Sequence, residues 1–310
     1  MDIALLLLKN LLPLYVIIAL GFFGGRYLRF ERDTLANLAI FICVPIVVFG
    51  YVAQLEFKAA YALLPVLVFI IATIVALSFY KLGQHIFKDN RANLMAMCAS
   101  MGNTGYFGLP IIFLLFEPKW VAVYMFILLG YLIFEATIGY YLAVRGNFSV
   151  RESVIKVLRY PSIYAIAAGL VANAMHVKLP ELYLTYWGYF KGAYVILGMM
   201  IIGVALSRIN KLVFGARFLT LTFAGKFLVL PLLMAGLVAL DSAYFHLFGP
   251  EVHLLLVIVS IVPPAANIAA FAAQLDLKPE KAATTVLMGT IFALFYIPAI
   301  FMIFQLKPDF

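Results

Sequence analysis

Charge is scarce in this 310-residue chain: Asp, Glu, Lys and Arg make up only 12% of it, against roughly 25% in an ordinary soluble domain. Hydrophobic residues supply 66%, and the mean hydropathy is +1.08. These values exclude a soluble globular fold and predict an all-α polytopic membrane protein. The short alternating segments of a β-barrel are missing as well. Cysteine is nearly absent. Cys43 and Cys98 both fall in apolar runs, where packing is expected rather than a disulfide or a metal site. There is no His-Glu-x-x-His motif, no buried Asp pair and no Ser–His pair at membrane depth. An intramembrane enzyme is therefore not expected, and no catalytic or metal-ligating residue is assigned. No Gly-rich Lys-Ser/Thr phosphate loop is present, so direct use of ATP is not expected. Asp is missing from the middle of every apolar run, which argues against a cation/proton antiporter built on buried aspartates. His85, His176, His246 and His253 fall near loops or run ends and read as interfacial. The net charge of +8 does not imply nucleic acid, because Lys and Arg in such a chain mark cytoplasmic loops.

What is present is a series of long apolar runs. About 20 residues cross the hydrocarbon core, and ten stretches qualify: near 5–24, 34–53, 61–80, 92–116, 119–142, 160–177, 187–206, 217–240, 251–275 and 282–304. The first lacks a basic n-region and a small-residue cleavage site, and reads as a retained helix. The loops after odd-numbered spans hold fifteen Lys and Arg, and the opposite side holds six. That bias puts both termini outside and the basic loops in the cytoplasm. It suits an integral plasma (inner) membrane protein. The basic loop 143–159 divides the chain into a first repeat, 1–142, and a second, 160–310. Because five is odd, two five-span repeats cross the membrane in opposite directions.

Two spans are interrupted at corresponding places. One break reads Met101-Gly102-Asn103-Thr104-Gly105-Tyr106-Phe107-Gly108-Leu109-Pro110, the other Val262-Pro263-Pro264-Ala265-Ala266-Asn267. Asn103 and Asn267 lie 164 residues apart, which fits an inverted repeat. Gly and Pro free backbone groups that lipid cannot satisfy, so such breaks are buried in protein or line a wet cavity. Each break begins a new half-helix whose positive N-terminal end favours an anion such as a carboxylate. Gly105 permits the unusual dihedrals and close approach of a break. Pro110 and Pro264 suit the first turn of a restarting helix. Asn103 and Asn267 each offer two donors and one acceptor. Two readings of each Asn stand at this point: substrate contact, or an amide that satisfies its own break. Thr104, Tyr106 and Gln274 are further candidates.

Two charged residues lie well inside spans, away from their ends. Lys226 lies about ten residues into span 8, roughly 15 Å deep. There a charge costs several kcal/mol unless it is paired or solvated. It reads as a counter-charge for an anion, a group that switches partners, or a snorkelling Lys. Glu135 in span 5 can pair with Lys226, carry a coupling proton, or sit at the interface. Gly21-x-x-x-Gly25 allows close helix approach, within the chain or at a dimer contact. Trp120 and Trp187 stand at span ends, as interfacial anchors do.

The chain resembles the auxin efflux carrier family, which holds plant PIN-type auxin carriers and many bacterial organic-acid permeases. The strongest match is Asn103-x-Gly105-x-x-Gly108-x-Pro110. Phe41-x-x-x-Pro45-x-x-x-Phe49, Leu197-Gly198-x-x-x-x-Gly203 and the group Pro263, Pro264, Asn267 support it. The resemblance covers essentially the whole chain. It implies a bile-acid-transporter-like (NhaA-like) architecture with broken crossover helices in spans 4 and 9. It further implies a scaffold of spans 1, 2, 6 and 7, a transport domain of spans 3–5 and 8–10, elevator-type access and homodimers through the scaffold. The crossover asparagines of the family bind substrate carboxylate, a role that passes to Asn103 and Asn267. Two features depart from plant members. The central loop is short, and residues 61–80 hold no Asp, Glu, Lys or Arg, so the plant support site has no counterpart there. Lys226, in the repeat-equivalent span 8, is a candidate replacement.

The leading expectation is a secondary transporter of small organic anions, malonate-like or auxin-like. It uses no cofactor beyond a coupling proton or sodium ion. The alternative is a sodium-coupled carrier of larger amphipathic acids such as bile acids, although the Ala-rich second break makes a sodium cage thin. A membrane receptor that binds without transporting is a further reading.

Overall fold

In the computed structural model the described residues are 3–143, 151, 155, 158–209, 211–274 and 277–304, without the side chains of 3–8, 10 and 274. Every named element among them is a helix. We number these α1 (Ile3–Tyr27), α2 (Arg32–Ala53), α3 (Ala59–Ile86), α4 (Arg91–Ser100), α5 (Thr104–Leu115) and α6 (Pro118–Ala143). After the central loop come α7 (Pro161–Ala174), α8 (Glu181–Ser207), α9 (Ala216–Phe245), α10 (Pro250–Ile261), α11 (Asn267–Gln274) and α12 (Pro279–Ile303).

Helices are what apolar sequence yields in lipid, since each satisfies its own backbone. Proline sets several of the starts. Pro118, Pro161, Pro250 and Pro279 each stand in the first turn of α6, α7, α10 and α12, where the missing N–H costs nothing. Six helices, α2, α3, α6, α8, α9 and α12, are long and apolar enough to cross a membrane. The other expected spans differ for local reasons. Span 4 is divided into α4 and α5, span 9 into α10 and α11, and α7 has only 14 residues. Such a helix extends about 21 Å. Short π-helical turns occur in three of the long helices, α2, α6 and α9, among them Glu135–Gly139 and Gly225–Val229. A π-turn is a frequent mark of a functional position.

Helix α1 packs along α8, α7 along α2, and α3 against both α4 and α6. The α1–α8 contact is close. A Cβ on Gly203 would overlap the Ile18 carbonyl, and one on Gly21 the Met200 carbonyl. Gly21-x-x-x-Gly25 thus serves packing within the chain. Asn173 of α7 donates from Nδ2 to the Ala53 and Leu55 carbonyls at 3.1 and 2.6 Å, closing the C-terminus of α2. Trp187 is not an end anchor. Helix α8 begins at Glu181, and Trp187 Nε1 donates to the Val47 carbonyl of α2 at 3.1 Å. Trp120 stands at the start of α6, its Nε1 buried without a partner. The most deeply enclosed element is α4, buried from Ala92 to Ser100. An interrupted helix meets the demand for protein on all sides in this way.

Candidate functional site

The two breaks meet each other. Residues 101–103 and 262–266 pair as an antiparallel bridge at Gly102 and Pro264. Asn103 N–H donates to the Pro263 carbonyl at 2.8 Å, and Ala265 N–H to the Met101 carbonyl at 3.0 Å. Pro264 faces Gly102 without having to donate, so its missing N–H is harmless there. The prolines also hold the strand open: Val262, before Pro263, sits at φ −63°, ψ 151°, the extended region that a following proline enforces. Backbone freed by each break is thus satisfied by the other.

Helix α5 restarts at Thr104 with a π-turn, where Phe107 and Gly108 N–H groups return to the Asn103 carbonyl at 3.2 and 2.9 Å. Tyr124 Oη donates to the Thr104 carbonyl at 3.0 Å. Pro110 stands in the first turn of the α-helical stretch Leu109–Leu115 that follows the π-turn. The N-termini of α5 and α11 both begin at the crossover, where their partial positive charge favours an anion.

Around this point lies a cavity of about 190 Å³. Gly102, Asn103, Thr104, Gly105 and Tyr106 form one wall, with Ala265, Ala266 and Asn267 opposite. Tyr131 and Glu135 of α6, Tyr160 before α7, Tyr194 of α8, and Ile40, Val44 and Val48 of α2 complete it. Of the sequence candidates, Asn103, Asn267, Thr104, Gly105, Tyr106 and Glu135 line this space. Pro110 and Pro264 do not. Gln274 ends α11, and its side chain lies outside the described residues.

Asn103 Nδ2 is buried and has no partner. Asn267 Nδ2 donates to Glu135 Oε2 at 3.1 Å, a link across 132 positions of sequence. Asn267 Oδ1 and Tyr131 Oη are buried without partners. Buried polar atoms are ordinarily hydrogen-bonded, so three orphans around one cavity call for an account. A ligand carrying acceptors and a donor supplies one.

Lys226 lies deep in α9, as its position in span 8 implied. It is fully buried and does not line the cavity. Its Nζ donates to the Ser260 carbonyl at 3.2 Å in the last turn of α10. A Cβ on Gly102 would lie 2.9 Å from that Nζ, so the ammonium sits behind the bridge. Helices α4 and α10 both end there, and their negative C-terminal ends favour a cation. The pairing of Glu135 with Lys226 is not formed: each has another partner.

Two further cavities adjoin the first. One of about 420 Å³ shares Ala266 and is lined by Arg32, Asp33, Arg208, Lys211, Glu280 and the Ala269, Ala270 and Ala273 face of α11. Another, of about 380 Å³, shares Ile40, Leu132, Glu135 and Tyr160 and reaches Arg159. Both lie toward the basic loops.

Sequence reasoning missed Tyr131, Tyr160 and Tyr194. Tyr131 left a signal, four residues before Glu135 and thus on the same helical face. Tyr160 and Tyr194 left none, because only the packing of α7 and α8 turns them toward the crossover.

A family model described as "Membrane transport protein" matches residues 6–301. The chain belongs to this membrane transport protein family. This is the family to which the auxin efflux carrier motifs pointed. The chain is similar to an uncharacterized transporter of Methanocaldococcus jannaschii, 26% identical over 313 residues, covering 96% of each protein. It is likewise similar to an uncharacterized transporter of Methanothermobacter thermautotrophicus, 24% identical over 290 residues, covering 92% of this chain and 91% of the relative. With its apolar helices, this family member is an integral membrane protein.

Proposed function

We propose that this protein is a secondary transporter of small organic anions, with the carboxylate held between Asn103 and Asn267. The observation that carries the reading is the buried, unpartnered Nδ2 of Asn103, a residue in the wall of a cavity built where two helix N-termini begin. An amide donor and two positive helix ends bind a carboxylate without burying a second charge. Thr104, Gly105 and Tyr106 shape the wall. A cavity of about 190 Å³ falls below the roughly 300–1,000 Å³ of pockets for drug-sized ligands. That favours malonate-like or auxin-like acids over bile acids.

In this reading the chain forms ten spans in two inverted five-helix repeats, 1–142 and 160–310, joined by the loop 143–159. The crossover bridge between the two breaks supports it, as does their spacing. Spans 1, 2, 6 and 7 act as the scaffold and spans 3–5 and 8–10 as the moving body of an elevator. The packing of α1 on α8 and of α2 on α7 supports that division. Homodimers form through the scaffold. The excess of Lys and Arg in alternate loops supports an inner-membrane location with both termini outside.

A thermal-shift screen of the detergent-purified protein against carboxylates tests the binding claim, since a ligand of the folded state raises its apparent stability. Stabilisation of the wild type by a small acid, lost in Asn103→Ala, is expected. Stabilisation only by a steroid-like acid with sodium would move the assignment to the bile-acid class.

A further inference from the structure

We propose that Glu135 makes this protein a proton–carboxylate symporter, by holding the Asn267 amide until a proton releases it. The inference rests on the anion-carrier reading of the same site and adds the driving ion. Its basis is the direction of one hydrogen bond. Asn267 Nδ2 donates to Glu135 Oε2 at 3.1 Å, and Asn267 Oδ1 is left buried without a partner. While the carboxylate is ionised, the Asn267 donor is committed to Glu135 and the amide's remaining end is an acceptor, which is the wrong polarity for an anion.

A proton on Glu135 reverses this. The carboxyl O–H then donates to Oδ1 once the amide turns over, and Nδ2–H faces the cavity. Asn103 and Asn267 together present amide donors to the incoming carboxylate. The proton also removes the repulsion between two carboxylates in one cavity of about 190 Å³. One proton from the aqueous solution forms an O–H bond on Glu135, the Nδ2–H···Oε2 hydrogen bond gives way to O–H···Oδ1, and one anion binds the amides, with no other covalent bond made or broken. For a monocarboxylate the pair carries no net charge.

The fold gives the proton a way in. Glu135 lines both the crossover cavity and the neighbouring one that reaches Arg159. The titratable side chains facing these spaces are Tyr106, Tyr131, Tyr160 and Tyr194, with Tyr140 and Arg159 in the outer one. Helix α3, packed along α6, carries no Asp, Glu, Lys or Arg from 61 to 80. Helices α2 and α10 carry theirs near one end: Arg32 and Asp33, and Glu251 and His253. Lys226 is engaged with Ser260. Glu135 is thus the one carboxylate of the crossover cavity among the described residues.

The test is a titration of the purified full chain in weakly buffered detergent with a pH-indicator dye. The probes are malonate, succinate and indole-3-acetate, each corrected by a blank, between about pH 7 and 9. The wild type is expected to take up about one proton per acid bound. Its Kd should rise up to about tenfold per pH unit wherever the empty site has lost its proton. Glu135→Gln should bind without proton uptake and with a flat pH profile. Acid binding by the wild type without proton uptake at any pH would overturn the inference and leave the anion-carrier reading standing. Equal uptake in Glu135→Gln would overturn it too. Absence of binding by any of the acids would overturn both. The wild-type titration decides the matter even if the variant does not fold.

Discussion

Asn103 and Pro263 share a backbone hydrogen bond of 2.8 Å that joins the two interrupted helices. The bond uses the Asn103 N–H and leaves its side-chain amide free for the cavity. Structure and binding are therefore separable at this residue. Asn103→Ala is expected to fold and melt like the wild type, yet to bind carboxylate about 10- to 100-fold more weakly, the worth of a hydrogen bond to a charged group. Asn267→Ala differs, because it strips Glu135 Oε2 of its donor. It should lose affinity and also about 1–3 kcal/mol of stability. Paired melting and binding curves distinguish the two; identical behaviour would count against the separate roles.

Lys226 caps the Ser260 carbonyl from a fully buried position. Lys226→Met leaves that carbonyl unpaired behind the bridge. A loss of about 1–3 kcal/mol is expected, read as a lower melting temperature in detergent. Because the side chain does not line the cavity, acid binding by the folded fraction should change little. A large loss of affinity at wild-type stability would show that the ammonium reaches the substrate in another conformation.

Helices α1 and α8 approach so closely at Gly203 that a Cβ would overlap the Ile18 carbonyl. Gly203→Val should force the pair apart at a cost of about 1–3 kcal/mol or more. Size-exclusion profiles and melting curves would register this as aggregation or a lower midpoint. A Cβ on Gly188 would meet nothing within 4 Å, so Gly188→Ala on the same helix should be tolerated.

Tyr131 keeps an unpartnered hydroxyl in the cavity wall. Tyr131→Phe removes a buried polar atom without breaking a bond, and stability should hold or rise slightly. If the hydroxyl meets the bound acid, affinity falls about 5- to 10-fold, near 1 kcal/mol. Isothermal titration of variant and wild type with the same acid gives the answer.

The breaks were legible in the sequence because Pro263, Pro264 and the glycines around Asn103 cannot continue a helix in lipid. The helical character of the chain, with helices long and apolar enough to cross a membrane, followed from its apolar runs. The depth of Lys226 was legible, but its partner was not, because depth along a helix says nothing about the face from which a side chain leaves it. Pro110 marked the start of the α-helical stretch Leu109–Leu115, but not the π-turn at Thr104–Gly108 that precedes it. Tyr194 and Tyr160 reach the cavity only through the way α7 and α8 pack. The Asn267–Glu135 bond joins residues whose approach no local pattern encodes.

The bridge at Gly102 and Pro264 runs from main chain to main chain. Preserving it constrains the shape of the backbone, and fixes a side chain only where that shape demands it, as at Gly102, where a Cβ would lie 2.9 Å from Lys226 Nζ. The two breaks are thus free to diverge from one another in sequence. The facing pair already shows how far that freedom goes: the most permissive residue, glycine, stands opposite the most restricted, proline.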